Sequence, residues 1–356
     1  MKKLFFIAAI AGVALVSCTK NEVAPIAQQD EITFVTPVVG LQTKLPQYGE
    51  IPVGYNTNES FGVYAVHTPG DLQTWAAGTL YMGVENGAGL KCVYNTNNYW
   101  APETPYYWPK EGKLSFAAYS PFEVSGTVKY DGAGLSVTGH TVAADITNHV
   151  DFLYAPRVLN YEESTMNDTT KEEESGDDDV TYKYDGVNIL FEHAMSSIVF
   201  QLARHSSINA NTVITLDKLT LLQPNSVADF KETVTDGTAY NPSPAWSNWS
   251  DPLNHTIYAT STDLTTTLTE YSNGDIILIP QVLSDNVKVV LNYTITNPGG
   301  HKVAQETAIQ LNKYTPSWGM GTRYTYNITI GLEEIIFDPA VTAWTNVTVP
   351  SGGITL

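Results

Sequence analysis

Positive charge is scarce in this sequence: 18 Lys and Arg stand against 37 Asp and Glu, a formal net charge of −19. Such a surface repels phosphate backbones and anionic headgroups, which excludes nucleic-acid binding and electrostatic docking to a bilayer. Histidine is sparse too, and none of the seven stands at a zinc-binding spacing from another His or Cys. Phosphate-binding glycine fingerprints are missing, so Gly132-Ala133-Gly134 and Gly299-Gly300 read as turns. No window keeps a helical period, so any helices should be short. The longest apolar stretch, Leu4 to Val16, falls short of a bilayer span.

That stretch follows Lys2 and Lys3 and reads as a leader over residues 1–17. It ends in Leu15-Val16-Ser17-Cys18, which resembles the bacterial lipobox, with Cys18 as the acylated residue. Loss of the leader removes two Lys and no acid, so the processed chain carries 16 cations against 37 anions, a net −21. Acyl chains must then supply the attachment to outer-membrane lipid. Cys92 is left without a partner, so no internal disulfide forms and the core alone holds the fold, which a chain this long can bury.

Residues 18–30 lack periodicity and suit a tether. Beyond them, 43% hydrophobic content rules out disorder, and the many Tyr, Val, Thr and Ile residues suit pleated, half-buried surfaces. Strands are expected at Glu31 to Val35, Ser60 to Val66 and Lys113 to Tyr119. A second set is expected at Met195 to Ala203, Val213 to Leu222, Ile276 to Pro280, Val287 to Thr296 and Thr322 to Ile330. Between the sets, residues 162–179 hold Glu172-Glu173-Glu174 and Asp177-Asp178-Asp179 without apolar pattern. The acids lack the alternating spacing and central glycine of a calcium loop, so this is a solvated linker or insertion. The expected fold is all-β: two tandem β-sandwich domains of transthyretin-like or Greek-key type, over residues 31–184 and 185–356.

No catalytic constellation, cofactor site or metal site emerges. Glu192 and His193 are neighbours on one strand and point to opposite faces, so His193 is expected to be structural. His149 and Asp151 can share a face, yet no nucleophile motif accompanies them. Tyr99, Trp100, Tyr106, Tyr107 and Trp108 are able to stack on sugars if exposed, but Tyr107-Trp108-Pro109 reads better as a core plug, as do Trp246 and Trp249.

Three segments together resemble the fimbrillin family of Bacteroidales, the lipoproteins of type V pili. They are Tyr106-Tyr107-Trp108-Pro109 leading into Leu114 to Pro121, Leu190 to Phe200, and Trp318 to Ile328 with Phe337, Val341 and Trp344 beyond. The resemblance implies a structural subunit of surface fimbriae, not an enzyme, that supports adhesion and biofilm formation. It implies that a trypsin-like protease removes an N-terminal strand and that other fimbrillin subunits fill the groove by donor-strand exchange. Here the removable strand would carry Ile32, Phe34, Val38, Val39 and Leu41, and the donor, within 341–356, would carry Val347, Val349, Ile354 and Leu356. The family's cut usually follows Arg, whereas this chain has no Arg before Arg157 and offers Lys44 before Leu45. An uncleaved anchor, a tip adhesin with a host or bacterial surface ligand, and a glycan-binding lipoprotein are the alternatives. Asp168-Thr169-Thr170 resembles an O-glycosylation motif of the same bacteria, with Thr169 as the acceptor.

Overall fold

The computed structural model describes residues 31–34, 38–39, 60–94, 100–132, 134–162, 186–235, 241–272, 274–332 and 335–343. Among these, helix is confined to single 3-10 turns at Trp75–Ala77, Ile146–Asn148 and Leu311–Lys313. Everything else with regular structure is strand, numbered here in chain order.

The largest sheet runs β1 (Val38–Val39), β10 (Leu190–His193), β9 (Leu153–Tyr161), β6 (Lys113–Ser120), β2 (Ser60–Thr68), β4 (Leu90–Tyr94), β5 (Trp100–Pro102). A short β3 (Thr79–Met82) also pairs with β2. Its central strands read as continuous apolar runs because both faces are covered. Phe61, Val63 and Ala65 of β2, with Leu114, Phe116 and Ala118 of β6, enter one core. Their alternates Tyr64, Val66, Ala117 and Tyr119 enter a second, larger core. Gly62 sits between these bulky rows, where a Cβ would come within 2.3 Å of the Tyr119 ring, so no larger residue fits.

A four-stranded sheet runs β14 (Asn241–Pro252), β13 (Asn225–Thr235), β8 (Gly134–Thr141), β7 (Thr127–Asp131). It joins a hairpin from before Asp185 to one from after it, through β13 on β8. The division near Asp185 therefore separates the chain in sequence, while hydrogen bonding runs across it.

The remaining strands form two five-stranded sheets. One runs β17 (Thr269–Glu270), β11 (Ser196–Arg204), β23 (Thr322–Ile330), β24 (Ile335–Ala343), with β18 (Ile276–Leu278) also on β11. The other runs β15 (His255–Tyr258), β12 (Val213–Leu222), β20 (Lys288–Thr296), β21 (Lys302–Gln310), with β16 (Thr262–Asp263) also on β12. A small pair, β19 (Gln281–Val282) and β22 (Ser317–Trp318), completes the set. β11 and β23 pair in parallel from Ser196↔Thr322 to Arg204↔Ile330, and the register partners Phe200 and Tyr326 stack ring on ring across the two strands.

Several expectations need correction. Of the strand expected over Glu31 to Val35, the described residues 31–34 form isolated bridges instead of a regular strand, because Glu31 and Phe34 find their partners at three separate places, Tyr107, Trp100 and Val187. Trp246 is buried, but Trp249 is 42% exposed on the edge strand β14 and only its indole N–H is engaged, donating to the Pro280 carbonyl. Trp108 is buried as a plug, whereas Tyr107 beside it is 43% exposed, since alternation turns neighbours to opposite faces. Val341 to Ala343, the first residues of the expected donor, already pair with Tyr324 to Thr322 in β24.

Candidate functional site

The N-terminal segment joins the two ends of the largest sheet. Phe34 N–H donates to the Trp100 carbonyl at 2.8 Å, and Ile32 N–H donates to the Tyr106 carbonyl at 2.7 Å. From the opposite side, Val187 N–H donates to the Thr33 carbonyl at 2.9 Å. Val38 and Val39 then continue in parallel beside Leu190 and Phe191 of β10. Residues 31–34 thus lie between β5 at one end of the sheet and the chain leading into β10 at the other, and they close the sheet around its inner core.

Alternation sends Ile32 and Phe34 inward, where both are buried, while Thr33 is half-buried between them. Phe34 meets Phe61 edge-on at 5.4 Å and Phe116 edge-on at 5.8 Å, the favoured geometry for aromatic pairs. Trp108 meets Phe116 at 6.0 Å and Trp100 meets Phe61 at 5.6 Å, so the tryptophans belong to this core rather than to a sugar platform. Cys92 lies in the same core, and burial pushes its thiol well above the ordinary range. Burying two such side chains contributes roughly 1.5–3 kcal/mol each. Losing the segment would also strip partners from the Trp100 and Tyr106 carbonyls and the Val187 N–H, at about 1–3 kcal/mol for each group left buried.

Of the residues expected at the removable strand, Ile32, Phe34, Val38 and Val39 come together here. Leu41, the processing pair Lys44 and Leu45, lipidated Cys18, Thr169, and Val347, Val349, Ile354 and Leu356 lie outside the described residues. The sequence reading missed the acceptor side. Nothing local in Trp100 or Tyr106 announces that their carbonyls face the N-terminus, although the Ile32-x-Phe34 alternation announces a strand.

The histidines are structural in their contacts. His193 Nδ1 lies 2.6 Å from Asp151 Oδ2, and Asp151 is fully buried. Burial pushes the Asp151 carboxyl up, and the bond to His193 opposes that push. Glu192 points the other way and accepts from the Tyr154 hydroxyl at 2.5 Å. His149 does not reach Asp151; its Nε2 lies 3.0 Å from the Ala143 carbonyl. Among the described residues no three His, Cys, Asp or Glu side chains gather in a way that would hold a metal. A shallow groove of about 310 Å³ between β21 and β24 is lined by Lys288, Ile309, Lys313, Tyr314 and Phe337, with no acid–base pair.

Fold and site together define an all-β protein whose own N-terminal segment completes its sheet. Residues 52–344 match the family model described as fimbrillin-like, and the chain belongs to that family. Among solved structures, it resembles a fimbrial protein from Bacteroides vulgatus at 15% identity and a TM-score of 0.58, covering 88% of this chain and 99% of that one. It is also similar to a fimbrial assembly protein from Parabacteroides distasonis, at 12% identity and a TM-score of 0.37, covering 88% and 98% of the two chains. The fimbrial anchor protein Mfa2 from Porphyromonas gingivalis aligns at 10% identity and a TM-score of 0.29, over 88% and 96%. No curated protein matches the chain. Family membership supports a fimbrial subunit at the cell surface that associates with other fimbrillins, a structural rather than catalytic role. No helix among the described residues is long and apolar enough to cross a membrane, which says nothing of strands.

Proposed function

We propose that this chain is an exported lipoprotein, attached through Cys18, that becomes a fimbrial building block when residues up to Lys44 are cut away and a strand from another subunit takes their place. The observation that carries this reading is the double bridging of Phe34, to Trp100 on one side and Val187 on the other. A segment held between two sheet ends by its own backbone can be replaced by any extended segment with the same alternation. Main-chain bonds supply affinity, and the Ile32 and Phe34 pockets supply selectivity. The donor would be the tail after β24, with Val347, Val349, Ile354 and Leu356 filling the pockets. Until the cut, the chain's own strand blocks assembly.

Processing decides the role. Arg157, the first arginine, is buried in β9 with its guanidinium stacked on Trp75 at 4.8 Å, so an Arg-specific protease has no accessible target ahead of the core. A protease that accepts Lys44 makes a stalk subunit; one that refuses it leaves an anchor with acylated Cys18. Adhesion and biofilm formation, a surface ligand and glycosylation of Thr169 follow as consequences of surface display.

Mass spectrometry of the N-terminus in outer-membrane and shed-fibre fractions tests this. A fibre-associated form beginning at Leu45 without acyl chains supports strand exchange. Acylated Cys18 in every fraction overturns the polymerising role in favour of an anchor, and an unlipidated start upstream of Leu45 overturns both.

A further inference from the structure

Three of the seven histidines, His140, His149 and His255, are almost fully buried, and they gather at one seam. The stretch 140–151, from the last residues of β8 to the approach of β9, meets the later half of the chain through backbone pairing of His140 and Thr141 with β13, through Val142 N–H donating to the Ser226 carbonyl, and through side-chain contacts. The His140 ring lies 5.4 Å from Trp246, the His149 ring stands edge-on to His255 at 5.2 Å, and Asp151 binds His193 at 2.6 Å. Trp246 is itself fixed by its indole N–H, which donates to the Ala194 carbonyl at 2.7 Å.

The central pair is arranged for neutral rings. His149 Nε2 is 3.0 Å from the Ala143 carbonyl and His255 Nδ1 is 3.3 Å from the Ala144 carbonyl, so each ring donates its one N–H to backbone. The other nitrogens, His149 Nδ1 and His255 Nε2, are buried without a partner. A proton added to either creates a buried cation with an unmet donor, beside another imidazole.

We infer that residues 140–151 form an acid-released latch between the earlier and later halves of the chain, closed while His140, His149 and His255 are neutral and opened when they take up protons.

The surroundings offer little to hold such charges. His149 faces His255 from β15 and Asp145 from its own turn, and Asp145 is already engaged by Thr147. His140 faces Ser125, with uncharged Trp246 and Phe152 across it. Asp229, on the adjoining β13, is turned to Gly139 N–H and Asn248. Asp151 is committed to His193, and Asp275 beside it is paired with Arg323 at 2.7 Å. Desolvation accordingly holds His140 and His149 down to about 4 and lowers His255 in the same direction. Once the seam opens, these rings return toward 6.5. The opened form therefore binds protons that the closed form refuses. The latch is at full strength above about pH 6.5 and weakens as pH falls toward 4, by roughly thirtyfold at pH 5 for each of His140 and His149.

The test is a titration of the intact chain from pH 7.5 to 4, following histidine NMR resonances, Trp fluorescence and amide exchange together. The expected result is that His140 and His149 stay neutral down to pH 5 while the seam is closed. Amides of 140–151 and β15 then lose protection at a higher pH than those of β11 and β23. His149→Gln with His255→Gln should remove most of the difference between pH 7 and pH 5 in the urea midpoint. Rings that titrate near pH 6.5 in the closed protein, simultaneous loss of β11 and β23, or an unchanged pH dependence in the double variant would each overturn the latch. If the double variant does not fold, the wild-type titration decides alone.

Discussion

Phe34 carries more of the site's packing than its position near the start of the body suggests. Its ring is 1% exposed and touches Phe61 and Phe116 edge-on, so Phe34→Ala leaves a cavity where the sheet ends meet. The expected cost is about 3–5 kcal/mol, read as a lowered urea midpoint with unchanged slope. Cys92 supplies an internal reporter of the same site, since its thiol lies inside the core that Ile32 and Phe34 close. It should resist a disulfide reagent in the intact chain and react readily in one that begins at Leu45; equal reactivity in both would mean that the segment does not seal the core. His193 acts on a different problem, the buried carboxyl of Asp151. His193→Leu leaves that carboxyl unpaired and should cost about 3–5 kcal/mol at pH 7, whereas adding Asp151→Asn should recover part of the loss. Its structural role was readable from the strand alternation that separates it from Glu192. Its partner was not, because Asp151 belongs to another strand's approach.

Residues 31–34 and 38–39 take their backbone partners from distant places in the chain, Trp100, Tyr106, Val187 and β10. A peptide of residues 31–39 added to a chain starting at Leu45 should therefore bind and raise its unfolding temperature. The Phe34→Ala peptide should bind roughly a hundredfold more weakly by calorimetry, the equivalent of about 3 kcal/mol. The hairpin of β13 and β14 illustrates a different limit of sequence reading. Asn241-Pro242-Ser243-Pro244 argues against a strand, yet these residues pair with Thr235 to Glu232, and their prolines are tolerated because β14 is an edge. The same prolines withhold outward N–H groups and discourage sheet-to-sheet contact. Pro244→Val should leave the fold stable and increase self-association in sedimentation experiments.

At the scale of the molecule, charge and assembly pull in opposite directions. A chain that begins at Leu45 keeps 14 of the 18 cations and 34 of the 37 anions, a net −20 that makes subunits repel, so strand exchange between chains with open grooves should quicken as ionic strength rises from about 10 to 150 mM, where the Debye length shortens from about 30 to 8 Å. Light scattering of the Leu45-start chain would follow this; a rate that falls with salt would mean that local charge attraction drives encounter instead. The two cores share the strands β2, β6 and β9, one on each face of the largest sheet. Damage to the groove should therefore propagate to the seam that His140, His149 and His255 line.

By itself the sequence determined the class of the fold, because alternation and apolar runs act within a few residues of each other. Val213 to Leu222 and Thr322 to Ile330 appear as β12 and β23 with the expected ends. The same local physics marked Trp108 and Trp246 as core, and marked Ile32 and Phe34 as part of an expected strand. Only the tertiary structure decided what these residues meet. Period two states which face a side chain takes, not which distant strand lies across from it. The closure of the sheet by Phe34 between Trp100 and Val187, the hairpins joined across Asp185, and the facing rings of His149 and His255 all depend on contacts between segments far apart in the chain. Such contacts are set by how whole sheets pack, which no short stretch of sequence encodes.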